Sequence, residues 1–152
     1  MASQTANGQF SYDAEYHGKT LDNWVQSLHQ HNSVSNGWKY YPLKRGAFGY
    51  DNLAVSVGHV FNTINADPSI LKDKIVVERI AALIHDGWSI NYVYWRENKP
   101  YLKFKDMYFR PVNPINDERR NMCADKNFCD LPEDEMEKDR LLAKYLYEKL
   151  ME

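Results

Sequence analysis

Two groups of aromatic and cationic side chains could together bind a flat, anionic ligand. The first lies on a segment interrupted by Pro and Gly and comprises Trp38, Tyr40, Lys44 and Arg45. The second recurs at helical spacing and comprises Trp88, Tyr92, Trp95 and Arg96. Aromatic faces stack on nucleotide bases with about 1–3 kcal/mol per base, and the planar guanidinium of Arg matches phosphate oxygens. Brought together, the two groups would form a pocket for a base and a phosphate.

Core packing is the alternative role for each of these aromatic side chains. The chain contains four Trp and eleven Tyr, so part of this aromatic surface must fill the interior. For the helical group, Trp88, Tyr92 and Trp95, the spacing favours the core. For Trp38 and Arg45 the sequence leaves binding and packing equally open.

His85 is the residue best suited to a ligand hydrogen bond or to a role as general base. A histidine that bonds a neighbouring helix is the alternative that we favour. The acids after Pro132 suit a helix N-terminus, and Asp139 and Arg140 are predicted to form intramolecular ion pairs. No Gly-rich phosphate loop, nucleophile elbow or metalloprotease helix occurs in the sequence, so we predict no catalytic residue and no cofactor.

The histidines and cysteines do not have the spacing of a metal site. His29 and His31 are two residues apart and cannot share a helix face. Five residues separate Cys123 from Cys129, whereas structural zinc sites use closer pairs in duplicate. We therefore predict no metal ligands. With only two cysteines, we expect reduced thiols and a cytoplasmic location.

Length and charge exclude several classes of partner. A chain of 152 residues fits one domain, and its net charge of −2 argues against nucleic acid, which is bound mainly through cations. No window approaches the ~20 apolar residues that cross a bilayer, and the polar N-terminus has no apolar signal region. We expect neither a nucleic-acid nor a membrane partner; a homo-oligomer stays open.

A helix over Asp67 to Asn98 is the element around which we expect the chain to fold. Asp67 and Pro68 are favoured at a helix start. The apolar stripe then recurs at steps of three and four residues and comprises Val77, Ala81, Ile84, Trp88, Tyr92 and Trp95. Gly87 lies within the stripe, where it is predicted to bend the helix.

The remaining patterns predict three further helices and little β structure. Thr20 and Asp51 are predicted to cap helices, with Gly58 at a close helix crossing, and a last helix is predicted to begin after Pro132. A short strand is expected near Phe10 to Tyr12, an irregular loop or hairpin over 38–50, a weak strand over 101–106 and a polar loop over 116–129. The prediction is mainly α: a single small helical domain over 19–152 with a minor β-hairpin element, after a flexible N-terminal arm over 1–18.

Two segments of the second half resemble a known family. In Ile80 to Trp88, a His is followed three residues later by a Trp; Leu131 to Arg140 begins Leu-Pro, continues through an acidic run and ends Lys-Asp-Arg. In this order they resemble the first and final helices of the RyR domain, the repeat of animal calcium-release channels that also occurs as single copies in bacterial and phage proteins. The resemblance covers about residues 68–152.

The chain departs from that family between its two matching segments. The family's Gly-Trp-x-Tyr-Gly and Pro-Cys-Leu-like stretches are not evident between Asn98 and Leu131. A stretch similar to the first, from Gly37 to Pro42, lies before the long helix, where it could belong to a degraded upstream repeat within residues 19–66 that includes Trp24.

The resemblance implies an RyR-repeat-like fold without catalytic residues that binds a nucleotide-derived signal. We therefore expect a sensor or sequestering protein for an adenine nucleotide, cyclic nucleotide or ADP-ribose-type molecule, with a link to phage–host defence. One alternative is a protein-interaction module without a small ligand. The other is a nucleotide-processing enzyme with His85 as base.

Overall fold

The computed structural model describes residues 5, 9–98, 104–105, 111–112 and 118–152. Five α-helices account for most of this part of the chain: α1 (Leu21–Ser35), α2 (Phe48–Ala66), α3 (Val76–Asn98), α4 (Glu118–Ala124) and α5 (Glu133–Leu150). Short 3-10 helices lie at Pro68–Lys72 and Phe128–Asp130. There are four two-residue strands: β1 (Glu15–Tyr16), β2 (Lys19–Thr20), β3 (Phe104–Lys105) and β4 (Pro111–Val112). The predicted class, mainly α with a minor β-hairpin element, is confirmed.

The strands form two antiparallel pairs. In the first, Glu15 lies opposite Thr20 and Tyr16 opposite Lys19. In the second, β3 pairs with β4, with Phe104 opposite Val112. The strand expected near Phe10 to Tyr12 thus lies a few residues further on. Of the strand predicted over 101–106, only 104–105 falls within the described residues, and these two are extended.

The flexible arm that we expected over residues 1–18 is described only at residue 5 and over 9–18, and two of these described residues pack into the core. The side chains of Phe10 and Tyr12 are buried in the core, and Tyr12 donates a hydrogen bond of 3.4 Å to buried Asp51. Gly58 makes room for this segment, because a Cβ there would lie 2.5 Å from Cδ1 of Phe10. The close neighbour of Gly58 is therefore an aromatic ring and not a crossing helix.

The α2–α3 pair forms the centre of the core, and α1 and α5 pack beside it. The closest approach of α2 and α3 is at Gly87, where a Cβ would lie 2.6 Å from the Cα of Ser56. Ser56 Oγ also donates a 3.0 Å hydrogen bond to the carbonyl of Ile84. Gly87 lies within the continuous helix α3, so its role is to let two backbones meet.

Three predicted element boundaries are wrong. The long helix does not run unbroken from Asp67: this residue caps the 3-10 helix, and the Asp73 carboxylate accepts from the Ile75 N–H before α3 begins. Asp51 does not cap α2, which already begins at Phe48. The polar loop predicted over 116–129 instead contains α4, because Cys123 and Phe128 are buried in the core.

Other boundaries agree with the sequence patterns. Thr20 caps α1 by accepting a hydrogen bond from the N–H of Asn23, as predicted. The last helix begins directly after Pro132, with three acids in its first turn and Lys149 in its last. Within the described residues, none of the helices has the length and apolar character that crossing a bilayer requires.

Replacing Gly87 with Ala should lower the free energy of unfolding by about 1–2 kcal/mol. The methyl group would meet the Ser56 backbone, which cannot move aside as a side chain could, so the cost of overpacking should lie in the upper part of its usual range of about 1–3 kcal/mol. The ~1 kcal/mol that Ala gains over Gly in a helix offsets part of this cost. Urea denaturation measures the difference. Asp86→Ala, at the exposed neighbouring position, is the control and should stay within about 0.5 kcal/mol of the parent; an unchanged or higher stability of Gly87→Ala would contradict this close packing.

Candidate functional site

A cleft of about 470 Å³ lies where α1, α3, α4, α5 and the start of α2 meet. Its volume lies within the ~300–1,000 Å³ typical of small-molecule sites. Its lining combines aromatic, amide, cationic and acidic side chains. The residues are His29, Asn32, Asn36, Trp38, Phe48, Gly49, Asn52, Leu53, His85, Trp88, Arg119, Arg120, Cys123, Leu131, Glu135, Lys138, Asp139 and Leu142.

Of the nine residues predicted to bind a ligand, three line this cleft: Trp38, His85 and Trp88. Trp38 comes from the segment between α1 and α2 and is 46% exposed. His85 and Trp88 lie three residues apart on α3, with their rings stacked at 6.1 Å and 18°. The structure therefore brings together one indole from each of the two predicted groups.

The next aromatic residues of α3 support this wall from behind. The Tyr92 ring stacks on the Trp88 ring at 5.2 Å, and both Tyr92 and Trp95 are buried against Phe48. The predicted ligand roles of Tyr92 and Trp95 are thus not supported by their position, because they lie outside the cleft lining and fill a small core cluster. Arg96 lies outside the cleft as well: its Nη1 donates to Asn121 Oδ1 at 2.9 Å.

The cations of the first predicted group do not reach the cleft either. Arg45 forms ion pairs with Asp13 at 3.7 Å and with Asp22 at 3.5 Å, and its guanidinium lies 5.1 Å from the Tyr12 ring. Lys44 is exposed and is not among the lining residues. Tyr40 also lies outside the lining, although its ring is 5.6 Å from that of His29. Acidic residues at the start of α1 and before it hold Arg45 away from the indoles.

Other cations, which the sequence analysis missed, take their place. Arg119 and Arg120 on α4 and Lys138 on α5 line the cleft. Arg119 Nη1 donates to both oxygens of Glu135, at 3.0 and 3.2 Å, and Lys138 bonds the same carboxylate. The Arg120 guanidinium lies 5.7 Å from the Phe48 ring. One signal in the sequence could have identified these arginines. The Arg pair lies shortly before Met122 and Cys123, and polar residues followed by apolar residues within one turn are typical of a short amphipathic helix.

His85 is bonded to the protein, as we favoured, although its partner is a turn and not a helix. The side chain is 4% exposed and its Nε2 lies 2.6 Å from the carbonyl oxygen of Lys126. Because a carbonyl only accepts, Nε2 is the donor in this bond and carries a proton. Nδ1 lies 4.0 Å from Asp139 Oδ2, which is too long for a hydrogen bond.

The surroundings of Asp139 strongly shift the pKa of its carboxyl group. Burial raises its pKa to about 7, and the nearby charge of Glu135 acts in the same direction, while Lys138 opposes it. Arg140, in contrast, forms the predicted ion pairs, including 2.7 Å to Glu78. Burial also raises the pKa of the Cys123 thiol, so this cleft residue stays protonated and is a poor nucleophile.

A second cavity, of about 380 Å³, is lined by His59, Asp86, Ser89, Ile90, Ala124, Asp125, Lys126 and Asn127. These residues include no aromatic ring other than an imidazole, so the larger cleft is the better candidate for a planar ligand. Among the described residues, no group of three or more His, Cys, Asp or Glu is placed to hold a metal ion.

The fold and cleft define a mainly α domain with a mixed aromatic and cationic site. Comparisons of the chain with protein-family models, with curated proteins and with solved structures gave no match. The geometry of the cleft therefore carries the functional argument that follows.

Replacing Asp139 with Asn should stabilise the protein in a pH-dependent way. The folded-state pKa of about 7 lies above the ordinary value of 3.8 for an Asp side chain, so the folded state binds more protons between these values and stability falls as pH rises through them. The Asn side chain of the variant does not titrate, so the variant does not lose this stability. The gain of the variant should be near zero below pH 4, grow through pH 4–7 and level off at roughly 2–4 kcal/mol above pH 7.

Denaturant titrations at several pH values measure this gain. Asp125→Asn, an exposed position close in sequence to α4, is the matched control. A difference between Asp139→Asn and the parent that is the same at pH 4 and pH 8 would contradict the assignment.

Proposed function

We propose that this chain binds a nucleotide-derived, anionic small molecule in the cleft without altering it, as a sensor or sequestering protein. The observation that carries the proposal is the meeting of Trp38, Trp88 and the Arg119–Arg120 pair around one cavity of about 470 Å³. A planar base and a phosphate need these two kinds of surface side by side.

The aromatic side suits a base. Trp88 is partly exposed and is held by stacking on His85 and Tyr92, so its orientation is set before a ligand arrives. A rigid aromatic platform loses little conformational entropy on binding, which favours affinity. Trp38 is half-exposed beside it, on a segment tied to α1 by paired hydrogen bonds between the Gln26 side chain and the Leu43 backbone.

The cationic side suits phosphate. Three cations and two acids line the cleft, and the raised pKa of Asp139 leaves part of its population uncharged near neutral pH. Glu135 orients Arg119 and Lys138, which supports a fixed arrangement of donors. The surroundings of the cleft are thus net positive in a chain whose overall charge is −2.

The resemblance to the RyR domain supports the same site. Its first motif contributes His85 and Trp88 to the cleft lining, and its second contributes Leu131, Glu135, Lys138 and Asp139. Residues noted for family likeness and residues selected by geometry therefore coincide. An RyR-like sensor or sequestering protein in the cytoplasm, acting in phage–host defence, stays our proposal for the biological role.

Mass spectrometry of small molecules released from the denatured, purified protein is the most direct test. Thermal-shift and calorimetric titrations with AMP, ADP, cyclic di-AMP and ADP-ribose complement it, since a ligand at 100 times its Kd stabilises by about 2.7 kcal/mol. If none of these binds at millimolar concentration and nothing co-purifies, the proposal fails.

Trp38→Ala should weaken binding of whichever of these nucleotides binds by about tenfold, within the 1–3 kcal/mol range of a base stack. Its folding stability should change little, because the indole is half-exposed. Tyr41→Ala is the matched control: it is a similarly exposed aromatic side chain, three residues away and outside the cleft lining. Calorimetry measures both; equal effects of the two changes would contradict a specific stack.

Arg120→Gln should weaken the same nucleotide by about 10–100-fold, because a hydrogen bond to a charged group contributes about 1.5–3 kcal/mol. Arg45→Gln is the control, since that guanidinium is held by acids outside the cleft. The loss for Arg120→Gln should shrink for the corresponding nucleoside, which lacks phosphate. A loss of the same size for nucleoside and nucleotide would argue against phosphate binding at this residue.

An exposed apolar surface favours the alternative of a protein-interaction module. Val34, Trp38 and Tyr41 are 66%, 46% and 49% exposed within a short stretch of sequence. If this stretch joined two copies of the chain, light scattering would detect an oligomer that Val34→Ser with Tyr41→Ser dissociates. If the chain stays monomeric at high concentration, self-association is excluded as the role of this stretch.

The Asp139–His85 pair favours the enzyme alternative, because a buried acid with a pKa of about 7 is suited to proton transfer. Incubation of the protein with each nucleotide, followed by denaturation and chromatography, separates the two. Intact recovery supports the binder; a new product supports the enzyme.

A further inference from the structure

His29 is a buried histidine with only one of its two ring nitrogens bonded. It lies on α1, is 1% exposed and contributes to the cleft lining. Nε2 lies 2.8 Å from the backbone carbonyl oxygen of Tyr41. Since that oxygen can only accept, Nε2 carries the proton. Nδ1 is buried and has no hydrogen-bond partner among the described residues.

The ring is also held in its neutral form. Burial lowers the pKa of His29, and the bond to the Tyr41 carbonyl only partly opposes this effect. At neutral pH the imidazole therefore presents Nδ1 as a lone-pair acceptor and not as a cation. His29 is therefore unsuited to binding phosphate and is suited to accepting a hydrogen bond from a donor group of a ligand.

Within the part of the chain that the structure describes, nothing accounts for the unbonded acceptor. Leaving a buried polar atom unsatisfied costs about 1–3 kcal/mol. The bond to Tyr41 needs only a donor, which a Gln side chain could supply, and packing needs only volume, which Leu or Phe could supply. Neither role requires a second nitrogen next to a cleft.

The neighbours of His29 in the lining are polar but uncharged. Asn32 and Asn36 lie on the same side, where Asn36 Nδ2 donates to the carbonyl of Asn32 at 2.7 Å. The cations of the cleft come from α4 and α5 instead. The cleft thus has an uncharged end on α1 and a cationic end on α4 and α5.

We propose that His29 is a specificity-determining residue whose Nδ1 accepts a hydrogen bond from an uncharged amino or hydroxyl group of the ligand. The ligand then lies with this donor towards α1 and its anionic group towards Arg119 and Arg120. This assignment rests on the proposed function. It adds the orientation of the ligand in the cleft and the kind of ligand group that His29 recognises.

Access to Nδ1 requires a small change in the cleft wall, because the atom is covered in the structure. Tyr40, whose ring is 5.6 Å from the imidazole, lies on a segment without helix or strand. This ring is partly exposed and lies outside the cleft lining, so it can turn aside without disturbing the residues of the cleft. Binding at His29 is therefore coupled to a local movement.

His29→Gln tests the proposal with the fold preserved. The Gln amide nitrogen can donate to the Tyr41 carbonyl in place of the imidazole Nε2, while the amide oxygen, which branches from Cδ, does not occupy the position of Nδ1. The variant should unfold at a temperature close to that of the parent. His29→Leu, which loses both nitrogens, provides a second variant should Gln fold poorly.

The binding test uses AMP with two partners that each lack one donor: IMP, which lacks the amino group, and 2′-deoxy-AMP, which lacks a hydroxyl. The parent should prefer AMP over one of them by at least about tenfold, and His29→Gln should reduce that preference to within about twofold. Unchanged preferences in His29→Gln overturn the inference while leaving the proposed function intact. Absence of binding by the parent to all three also overturns the inference, whereas the proposed function fails only if ADP, cyclic di-AMP and ADP-ribose do not bind either and nothing co-purifies.

Nitrogen-15 NMR of the His29 ring gives an independent readout. Without nucleotide, Nε2 should be protonated and Nδ1 unprotonated, and this state should persist to a pH below that at which free histidine titrates. Saturation with AMP should move the Nδ1 resonance towards that of a hydrogen-bonded acceptor and leave Nε2 nearly unchanged. A purely structural histidine would show no Nδ1 shift, and that result would overturn the assignment.

Discussion

The contact between the α2 and α3 backbones at Gly87 determines how the α2 and α3 sides of the cleft meet. His85 and Trp88 flank this glycine, so their positions relative to α2 are set by how closely the two helices approach. Phe48 and Asn52, also in the lining, lie on α2 before the contact at Ser56. A side chain at position 87 would push the helices apart and separate these two sets of residues. His85 and Trp88 on α3 can therefore lie beside Phe48 and Asn52 on α2 only because Gly87 has no Cβ.

The cleft is built from groups that are costly to bury. Asp139 keeps a proton to a pH well above its usual range, and His29 and His85 each use one nitrogen on a backbone carbonyl, with Nδ1 of His29 unbonded among the described residues. Leu at any of these positions would fill the same space without the cost of desolvation. Buried polar groups that do not bond one another are characteristic of binding and catalytic sites, where function and not stability determines the residue.

The fold was largely predictable because it follows from local patterns. The Thr20 cap, the acidic first turn after Pro132 and the apolar stripe of α3 are each visible within one short window. The failures were places where tertiary contacts decided the outcome. α4 is only seven residues long and has too little sequence for a periodic pattern, yet Cys123 anchors it in the core. The sequence around Phe10 is mostly polar and gives no indication that the Phe10 ring packs against Gly58.

The site was only partly predictable, and the two tryptophans of α3 show why. Trp88 and Trp95 are seven residues apart and lie on the same predicted stripe, but only Trp88 lines the cleft. Trp95 is covered by Phe48 and packs with it at 5.8 Å, a contact between residues 47 positions apart in the chain. The same holds for the cations, because acidic partners before and within α1 hold Arg45 elsewhere. Side-chain type and spacing indicated the chemistry, an indole beside a guanidinium, whereas the choice of which indole and which guanidinium depended on helix packing.

The division of the cleft into two ends argues for a ligand that carries both an anion and a neutral donor. Cations alone would bind any phosphate, including inorganic phosphate, and an indole alone would bind many aromatic molecules. An acceptor that stays neutral, at the α1 end of the same cavity, penalises a ligand that presents another acceptor or a negative charge there, because two lone pairs would then meet in a desolvated space. Such a penalty discriminates more strongly than an added favourable contact, since a site built to receive a hydrogen bond rejects analogues that cannot make it. If the proposed function is correct, this arrangement would select one nucleotide-like molecule from the many that share its phosphate.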